Sequence, residues 1–146
     1  MKAAVTRCQY GLIREIATTA DTALQIRALS VSELFAAAGW GLSWLLIDPV
    51  IAAESVTREV DLSAGDLEEL LVEWLTELLY IFDVDHLVFF EFELTVTEQR
   101  VVGCIRGFRF DPSRMALKTA VKAVTWHALS VRRSVRGCRA HILFDL

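Results

Sequence analysis

The sequence predicts an α+β fold: a single domain over residues 1–146, with a largely antiparallel sheet and two main amphipathic helices packed on it. Two stretches carry apolar residues at helical spacing, and several others alternate apolar with polar residues, as half-buried strands do. Hydrophobic residues make up 54% of the 146 residues. A chain of this size can bury enough surface to fold without a disulfide or a structural metal.

The first predicted helix runs from Ser30 to about Leu46. Ser30 and Glu33 have the spacing of a capping box. The pair Asp48-Pro49 ends the helix, because a residue before proline avoids the helical conformation. An alternating segment from Leu24 to Ala28 predicts a strand ahead of it. The inner face of the helix is predicted to hold Leu34, Phe35, Ala38, Leu42 and Leu45.

The second predicted helix is the clearest element in the chain. Asp66 is placed to cap its start, and apolar residues recur at helical spacing up to Phe82. Glu69, Glu73 and Glu77 fall on the other face, which is either a solvated face or a binding face. The apolar stripe consists of Leu67, Leu70, Leu71, Trp74, Leu75, Leu78, Leu79 and Phe82.

The remaining predicted elements are mostly strands that pair as hairpins. They are Arg58–Leu62, Phe90–Val96, Val101–Arg106, His127–Arg133 and Cys138–Leu146. A short helix is predicted through Leu117, Val121 and Val124, and no element is predicted before Leu24. The four tryptophans are expected in or near the core, as large aromatic anchors usually are: Trp40, Trp44, Trp74 and Trp126.

Charge is distributed unevenly along the chain, although the net charge is only -4. Residues 1–99 hold 5 lysines and arginines against 17 aspartates and glutamates, whereas residues 100–146 hold 10 against 2. Two interpretations stay open. The folded surface has opposed acidic and basic regions that meet an acidic partner or RNA, or the two halves pack together and neutralise each other.

Composition also bounds where the protein works. The longest uncharged stretch, between Glu33 and Asp48, is shorter than the ~20 apolar residues that a membrane span needs. No apolar run follows Lys2 and Arg7, so no signal peptide is expected. The three cysteines lie far apart and form no zinc-binding pattern. Reduced thiols in a cytoplasmic protein are the expected state.

Five segments, in order along the chain, carry a resemblance to a known family. They are Thr19-Ala20-Asp21 with the helix opening Ser32-Glu33-Leu34-Phe35; Asp66 to Leu75 continuing to Tyr80-Ile81-Phe82-Asp83; Gly107 to Pro112; Lys118 to His127; and Ile142 to Leu146. In this order and spacing they resemble the archease family, over nearly the whole chain from about Tyr10.

The chain departs from the family pattern at three places. Ala17 and Thr18 stand where the family usually has Glu-His before Thr-Ala-Asp. Met115 and Ala116 stand where it often has His-Glu, and Ala120 replaces a glutamate common between the two lysines. Each change removes a polar or charged group near the expected functional surface, while the apolar positions are kept.

The resemblance implies an activator of an RtcB-type RNA ligase, not an enzyme, so no catalytic residue is expected. That ligase joins a 3′-phosphate or 2′,3′-cyclic phosphate RNA end to a 5′-hydroxyl, using GTP and a divalent metal. Archease-like proteins promote its guanylylation and repeated turnover in tRNA splicing and RNA repair. The resemblance also implies a divalent-metal site, with Ca²⁺ the expected ion, at Asp21, Asp145 and the backbone or terminal carboxylate of Leu146.

Elementary chemistry agrees with such a site only if the fold brings these segments together. A hard cation takes several oxygen ligands, and carboxylates gathered without a cation repel one another. Periodicity alone favours the simpler interpretation, two ordinary surface aspartates.

Two basic groups are candidate partner contacts. Lys118 and Lys122 share a face if their segment is helical, where they would meet phosphate, nucleotide or an acidic ligase surface; otherwise they are solvated lysines. A basic hairpin holds Arg132, Arg133, Arg136 and Arg139. Because nucleic-acid hairpins usually interleave aromatic residues, and none occurs from Ser130 to Ile142, protein contact or a solvated edge is expected rather than direct RNA binding.

Two other functions stay open. One is a general chaperone-like modulator of RNA-modifying enzymes, such as a methyltransferase. The other is a small metal-dependent phosphoesterase, with Asp21 and Asp145 on the metal and His141 as base. The missing nucleophile and the sparse histidines count against the second.

Overall fold

A computed structural model describes residues 2–48 and 54–146. These residues form two helices and eight strands in two antiparallel sheets, which confirms the predicted fold class. The five-stranded sheet has the strand order β1-β2-β3-β8-β7, and the three-stranded sheet has the order β4-β6-β5. The elements are β1 (Lys2–Cys8), β2 (Gly11–Ala17), β3 (Asp21–Ala28), α1 (Val31–Leu46), β4 (Val56–Ser63), α2 (Leu67–Asp85), β5 (Leu87–Val96), β6 (Arg100–Arg109), β7 (Ala123–Ser134) and β8 (Gly137–Asp145).

Helix α1 lies between the two sheets. The Ser30 hydroxyl accepts a hydrogen bond from the Glu33 amide at 3.1 Å, as the predicted cap requires. The helix contacts β5 on one side and β2, β3 and β8 on the other, so it is buried nearly all round rather than on one face. Small residues permit this approach, since a Cβ at Gly39 would lie 2.8 Å from the Phe92 ring. The helix ends at Leu46 as predicted, although Pro49 of the predicted stop lies outside the described residues.

Helix α2 closes the core from the other side. The Asp66 carboxylate accepts a hydrogen bond from the Glu69 amide at 2.8 Å, which confirms the predicted cap. The predicted apolar stripe is buried, except that Phe82 is half-buried. The indole of Trp74 is fully buried and donates to the Phe35 carbonyl at 2.9 Å, which ties α2 to α1.

The hairpins differ in how well the sequence predicts them. The β5–β6 hairpin is confirmed, with Phe92 buried and Glu91 and Glu93 exposed on its wet face. The β1–β2 hairpin was not predicted. Each face of β2 mixes apolar and charged residues: Ile13 and Glu15 point inward, and the outer face also holds both kinds. The strand therefore lacks the apolar–polar alternation that marks a half-buried strand.

Two predictions in the second half of the chain are wrong. No helix passes through Leu117, Val121 and Val124; Leu117 instead forms an isolated bridge with Ile47. The backbone amides of this segment bond to distant carbonyls, for example Lys118 to Leu46 at 2.7 Å, and these tertiary bonds replace a local helix. Trp126 is also not near the core, because 58% of its surface is exposed. Within the described residues, neither helix is long and apolar enough to cross a membrane.

Candidate metal site

Asp21 and Asp145 meet at one end of the five-stranded sheet. Asp21 is the first residue of β3, Asp145 is the last residue of β8, and the two are direct cross-strand partners. Their neighbours Thr22 and Phe144 are fully buried, so both carboxylates project from the outer face. Directly opposed residues have Cβ atoms about 4.5–5.5 Å apart. The fold therefore does bring the two predicted metal ligands together.

Main-chain hydrogen bonds hold the surrounding segments in place. The Leu146 amide donates to the Ala20 carbonyl at 3.2 Å, which keeps the Leu146 main chain beside the start of β3. The Lys122 amide donates to the Asp145 carbonyl at 2.8 Å. Asp145 is thus fixed by strands on both sides, while its carboxylate stays exposed.

Thr18 orients one of the two carboxylates. Its hydroxyl donates to Asp21 Oδ1 at 2.7 Å, and its amide donates to the Asp21 carbonyl at 2.9 Å. The sequence drew attention to Thr18 only as a departure from the family's histidine. A threonine hydroxyl that donates to Oδ1 leaves Oδ2 and the remaining lone pair of Oδ1 for a ligand.

The electrostatics of the pair favour a cation. Like charges directly opposite each other on neighbouring strands destabilise a sheet. Across residues 2–48 and 54–146, no group of three or more His, Cys, Asp or Glu side chains is placed to hold a metal. A cation here would take its ligands from two carboxylates, main-chain oxygens and water. This all-oxygen donor set fits a hard ion such as Ca²⁺ better than zinc, which prefers nitrogen and sulfur.

His141 lies on the predicted face but far from the carboxylates. It is four residues from Asp145 along β8, which at about 3.3 Å per residue is roughly 13 Å. Its Nδ1 lies 3.0 Å from the carbonyl oxygen of Ala128. Ala128 has a left-handed backbone (φ 55°), and the contact fixes the ring on β7, away from the aspartates.

A wide bulge in β7 exposes Trp126 near the same end of the sheet. Four residues, 126–129, lie opposite the single residue Ile142, because Thr125 pairs with Leu143 and Ser130 pairs with His141. The bulge turns Trp126 out of the sheet, three residues from Ala123, the β7 residue that faces Asp145. Nothing in the alternation of the sequence marks this bulge.

The two predicted contact lysines do not share a helix face. Lys118 Nζ lies 2.8 Å from the Trp44 carbonyl oxygen, 3.4 Å from an Asp48 carboxylate oxygen and 4.7 Å from the centre of the Trp44 ring. It therefore holds the C-terminal end of α1, where a cation is favourable. Lys122 instead lies at the Asp145 end of the sheet.

The acidic and basic halves of the chain neutralise each other in part. The described residues form five ion pairs, of which four join a base after residue 99 to an acid before it: Arg100–Asp61, Arg106–Glu91, Lys118–Asp48 and Arg133–Glu98. Arg133 of the predicted basic hairpin is one of these bases, and its guanidinium lies 2.6 Å from Glu98, which neutralises its charge. Arg132 and Arg139 stay exposed on the other face of the strands, and Arg136 is exposed in the β7–β8 turn.

Comparison with known proteins decides the family. The model of the Archease protein family matches residues 14–146. The chain belongs to the archease family. It is 33% identical to the protein archease of Methanosarcina barkeri, over 88% of this chain and 91% of that relative. It is also 33% identical to the protein archease of Methanopyrus kandleri, over 90% of this chain and 97% of that one.

A solved structure supports the fold of this archease-family chain. The solution structure of protein 1598 from Methanobacterium thermoautotrophicum superposes with a TM-score of 0.67 at 23% identity, covering 90% of this chain and 96% of that one. The family match begins within β2 and includes Asp21, Asp145 and Leu146. The hairpin strand β1 lies before it.

Proposed function

We propose that this archease-family protein binds a divalent cation at Asp21 and Asp145 and activates an RtcB-type RNA ligase in the cytoplasm. In this proposal it promotes guanylylation of the ligase and performs no chemistry itself. The observation that supports it most is the direct pairing of Asp21 with Asp145 on an exposed sheet face. The three free thiols agree with a reducing compartment.

The cation would be Ca²⁺, held by the two carboxylates, the main-chain oxygen of Leu146 and water. Calcium accepts an irregular set of six to eight oxygens, whereas Mg²⁺ demands near-ideal octahedral geometry. Two carboxylates fixed on neighbouring strands suit the more tolerant ion. A bound cation would also relieve the repulsion between the opposed aspartates.

A role without chemistry is supported by the position of His141. In the competing phosphoesterase hypothesis this residue would be the general base, but a base must come within hydrogen-bond reach of the proton that it abstracts. The roughly 13 Å along β8 between His141 and Asp145 is several times that reach. The ligase, with its own GTP and metal, would supply the chemistry.

Surface features at this end of the sheet provide the contact with the ligase. Trp126 projects from the bulge with 58% of its surface exposed, and tryptophan is among the residues that contribute most at protein interfaces. Lys122 precedes Ala123, the β7 residue that faces Asp145, and its amide donates to the Asp145 carbonyl. Its ammonium group is proposed as a second contact, to acidic or phosphate groups. Lys118 is not proposed as a direct contact to the ligase. Its proposed role is to hold the C-terminal end of α1 in place.

The test compares Asp145→Ala and Asp21→Ala with the control Asp83→Ala. Asp83 is an exposed carboxylate on α2 and accepts no hydrogen bond within the described residues. Two readouts are measured: the melting temperature with and without Ca²⁺, and the fraction of an RtcB-type ligase that becomes guanylylated with labelled GTP. We expect both site variants to fold, to lose the calcium-dependent stabilisation and to lose stimulation, while the control keeps both.

The readouts separate the two parts of the proposal. If both site variants keep full calcium stabilisation, the metal site is wrong. If the wild-type protein leaves the guanylylated fraction unchanged, the ligase role is wrong whatever the metal does. Asp145→Ala is the cleaner variant, because Asp21 also accepts the Thr18 hydrogen bond.

A further inference from the structure

The outer face of the five-stranded sheet concentrates positive charge at the end opposite the aspartates. Six exposed arginines from all five of its strands and the β7–β8 turn lie there, and we call them the arginine face: Arg7, Arg14, Arg27, Arg132, Arg136 and Arg139. Two adjoining grooves of about 470 and 630 Å³ run between them and meet at Arg27 and Arg139.

Three of these arginines stand in one row across neighbouring strands. Arg139 of β8 is the direct partner of Arg27 on β3 and of Arg132 on β7. Like charges directly opposite each other lower the stability of a sheet. Within residues 2–48 and 54–146, none of the three guanidinium groups lies within ion-pair distance of a carboxylate. An anionic ligand over the row would therefore stabilise the protein.

The chemistry of the face also points to anionic oxygens. A guanidinium donates two parallel hydrogen bonds to a carboxylate or phosphate. Aliphatic side chains lie among the arginines: Val5 is 64% exposed, and Leu12 pairs with both Arg7 and Arg27. The ligand should thus offer apolar contacts as well as negative charge.

From these observations we propose that the arginine face docks an acidic protein segment that also carries apolar residues. Arginine beside aliphatic surface is typical of protein interfaces. Single-stranded RNA is the weaker candidate for two reasons. The regularly paired strand residues that share the outer face with the arginines include no Phe, Tyr or Trp side chain for base stacking. The pI of about 5.4 is also far below that of most nucleic-acid-binding domains.

The position of the aspartates adds a third argument. Asp21 lies six residues from Arg27 on the same strand and face, about 20 Å away. A long polyanion laid along β3 would run from the arginines into the Asp21–Asp145 pair. A short acidic segment can cover the arginines and end before it reaches the two aspartates. This inference does not depend on the ligase role, because it concerns residues at the other end of the sheet.

The test uses Arg139→Glu, with Arg114→Glu as a control of equal charge change. Arg114 is exposed on the loop after β6 and lies outside the arginine face. The probes are a short fluorescein-labelled peptide of repeating Glu-Glu-Leu, its Gln-Gln-Leu counterpart and a labelled oligouridylate of equal length. Binding to the full chain is followed by fluorescence anisotropy at low and high salt.

We expect the wild type and Arg114→Glu to bind the glutamate peptide in a salt-sensitive way. Arg139→Glu should bind the glutamate peptide at least about tenfold more weakly than the wild type, since it loses charge-assisted hydrogen bonds. Glutamate between two arginines should also raise the melting temperature, so weak binding would not reflect unfolding. The proposal is overturned if Arg139→Glu binds the peptide as well as the wild type, if the glutamine peptide binds equally well, if the wild type binds no peptide, or if oligouridylate binds more tightly than the peptide.

Discussion

Replacement of Trp74 tests how the two helices and the three-stranded sheet are joined. The side chain is 0% exposed, donates to the Phe35 carbonyl of α1 and meets the Phe92 ring of β5 edge-on at 5.9 Å between centroids. Trp74→Ala removes these contacts and leaves a cavity, which for buried tryptophan costs about 3–5 kcal/mol of unfolding free energy. At this chain length about 3 °C of melting temperature corresponds to 1 kcal/mol, so the melting temperature should fall by about 10–15 °C.

Trp126→Ala is the matched control, because it is the same substitution at a tryptophan that is 58% exposed. Changes at exposed positions usually stay within about 0.5 kcal/mol. Both variants are followed by thermal unfolding and by urea titration, with the urea m-value checking that the two-state comparison holds. If the two alanine variants melt at the same temperature, the assignment of Trp74 to the junction of α1, α2 and β5 is wrong.

Three further outcomes are expected. Hydrogen bonds from Arg100 hold the pKa of the Asp61 carboxyl below its ordinary value. The stability that this shift contributes is present above the ordinary pKa and is lost as the pH falls through the lowered pKa. Asp61→Asn should therefore make the melting temperature fall less steeply as the pH is lowered. Gly107→Ala should prevent normal β5–β6 pairing, because the added Cβ would collide with the Val88 carbonyl, and circular dichroism with size-exclusion chromatography would show misfolded or aggregated protein. Reducing agent should leave the melting temperature unchanged, because all three thiols are free; a loss of the 2–4 kcal/mol typical of a disulfide would contradict this.

The sequence predicts best where one local rule dominates. Ser30 and Asp66 start their helices as predicted, since each side chain satisfies an amide of the first turn. The α2 stripe and the β5–β6 hairpin follow from periodicity in the same way. The sequence predicts one inner face for α1, but the helix is buried nearly all round, because a second sheet covers it.

The failures lie where distant parts of the chain decide the local structure. Lys118 and Lys122 have helical spacing, but their amides bond to Leu46 and Asp145 instead. Trp126 is exposed because four residues of β7 bulge opposite one residue of β8. The Asp21–Asp145 pair was expected only from the family resemblance, since periodicity cannot state which strands become neighbours. Once β3 and β8 are known to pair, their register places the two aspartates and the arginines Arg27 and Arg139 directly.

That register places a pair of like charges near each end of the same two strands. Asp21 faces Asp145 at one end, and Arg27 faces Arg139 six residues further along β3. Each opposed pair should lower ligand-free stability by a few tenths to about 1 kcal/mol, so Asp145→Ala and Arg139→Glu should each raise it. The pairs are about 20 Å apart, beyond the 7–10 Å within which substitutions interact.

The double variant should therefore gain the sum of the two single gains, to within about 0.5 kcal/mol. The free energy of unfolding is measured by urea titration, without calcium and at low salt, for the wild type, the two single variants and the double variant. If each single variant is more stable than the wild type and the two gains add, each charge pair destabilises the sheet independently of the other. This is the property expected of two distinct ligand-binding sites. A loss of stability in either single variant would show that its charge pair is already compensated within the protein, and would remove the physical argument for a ligand at that end of the sheet.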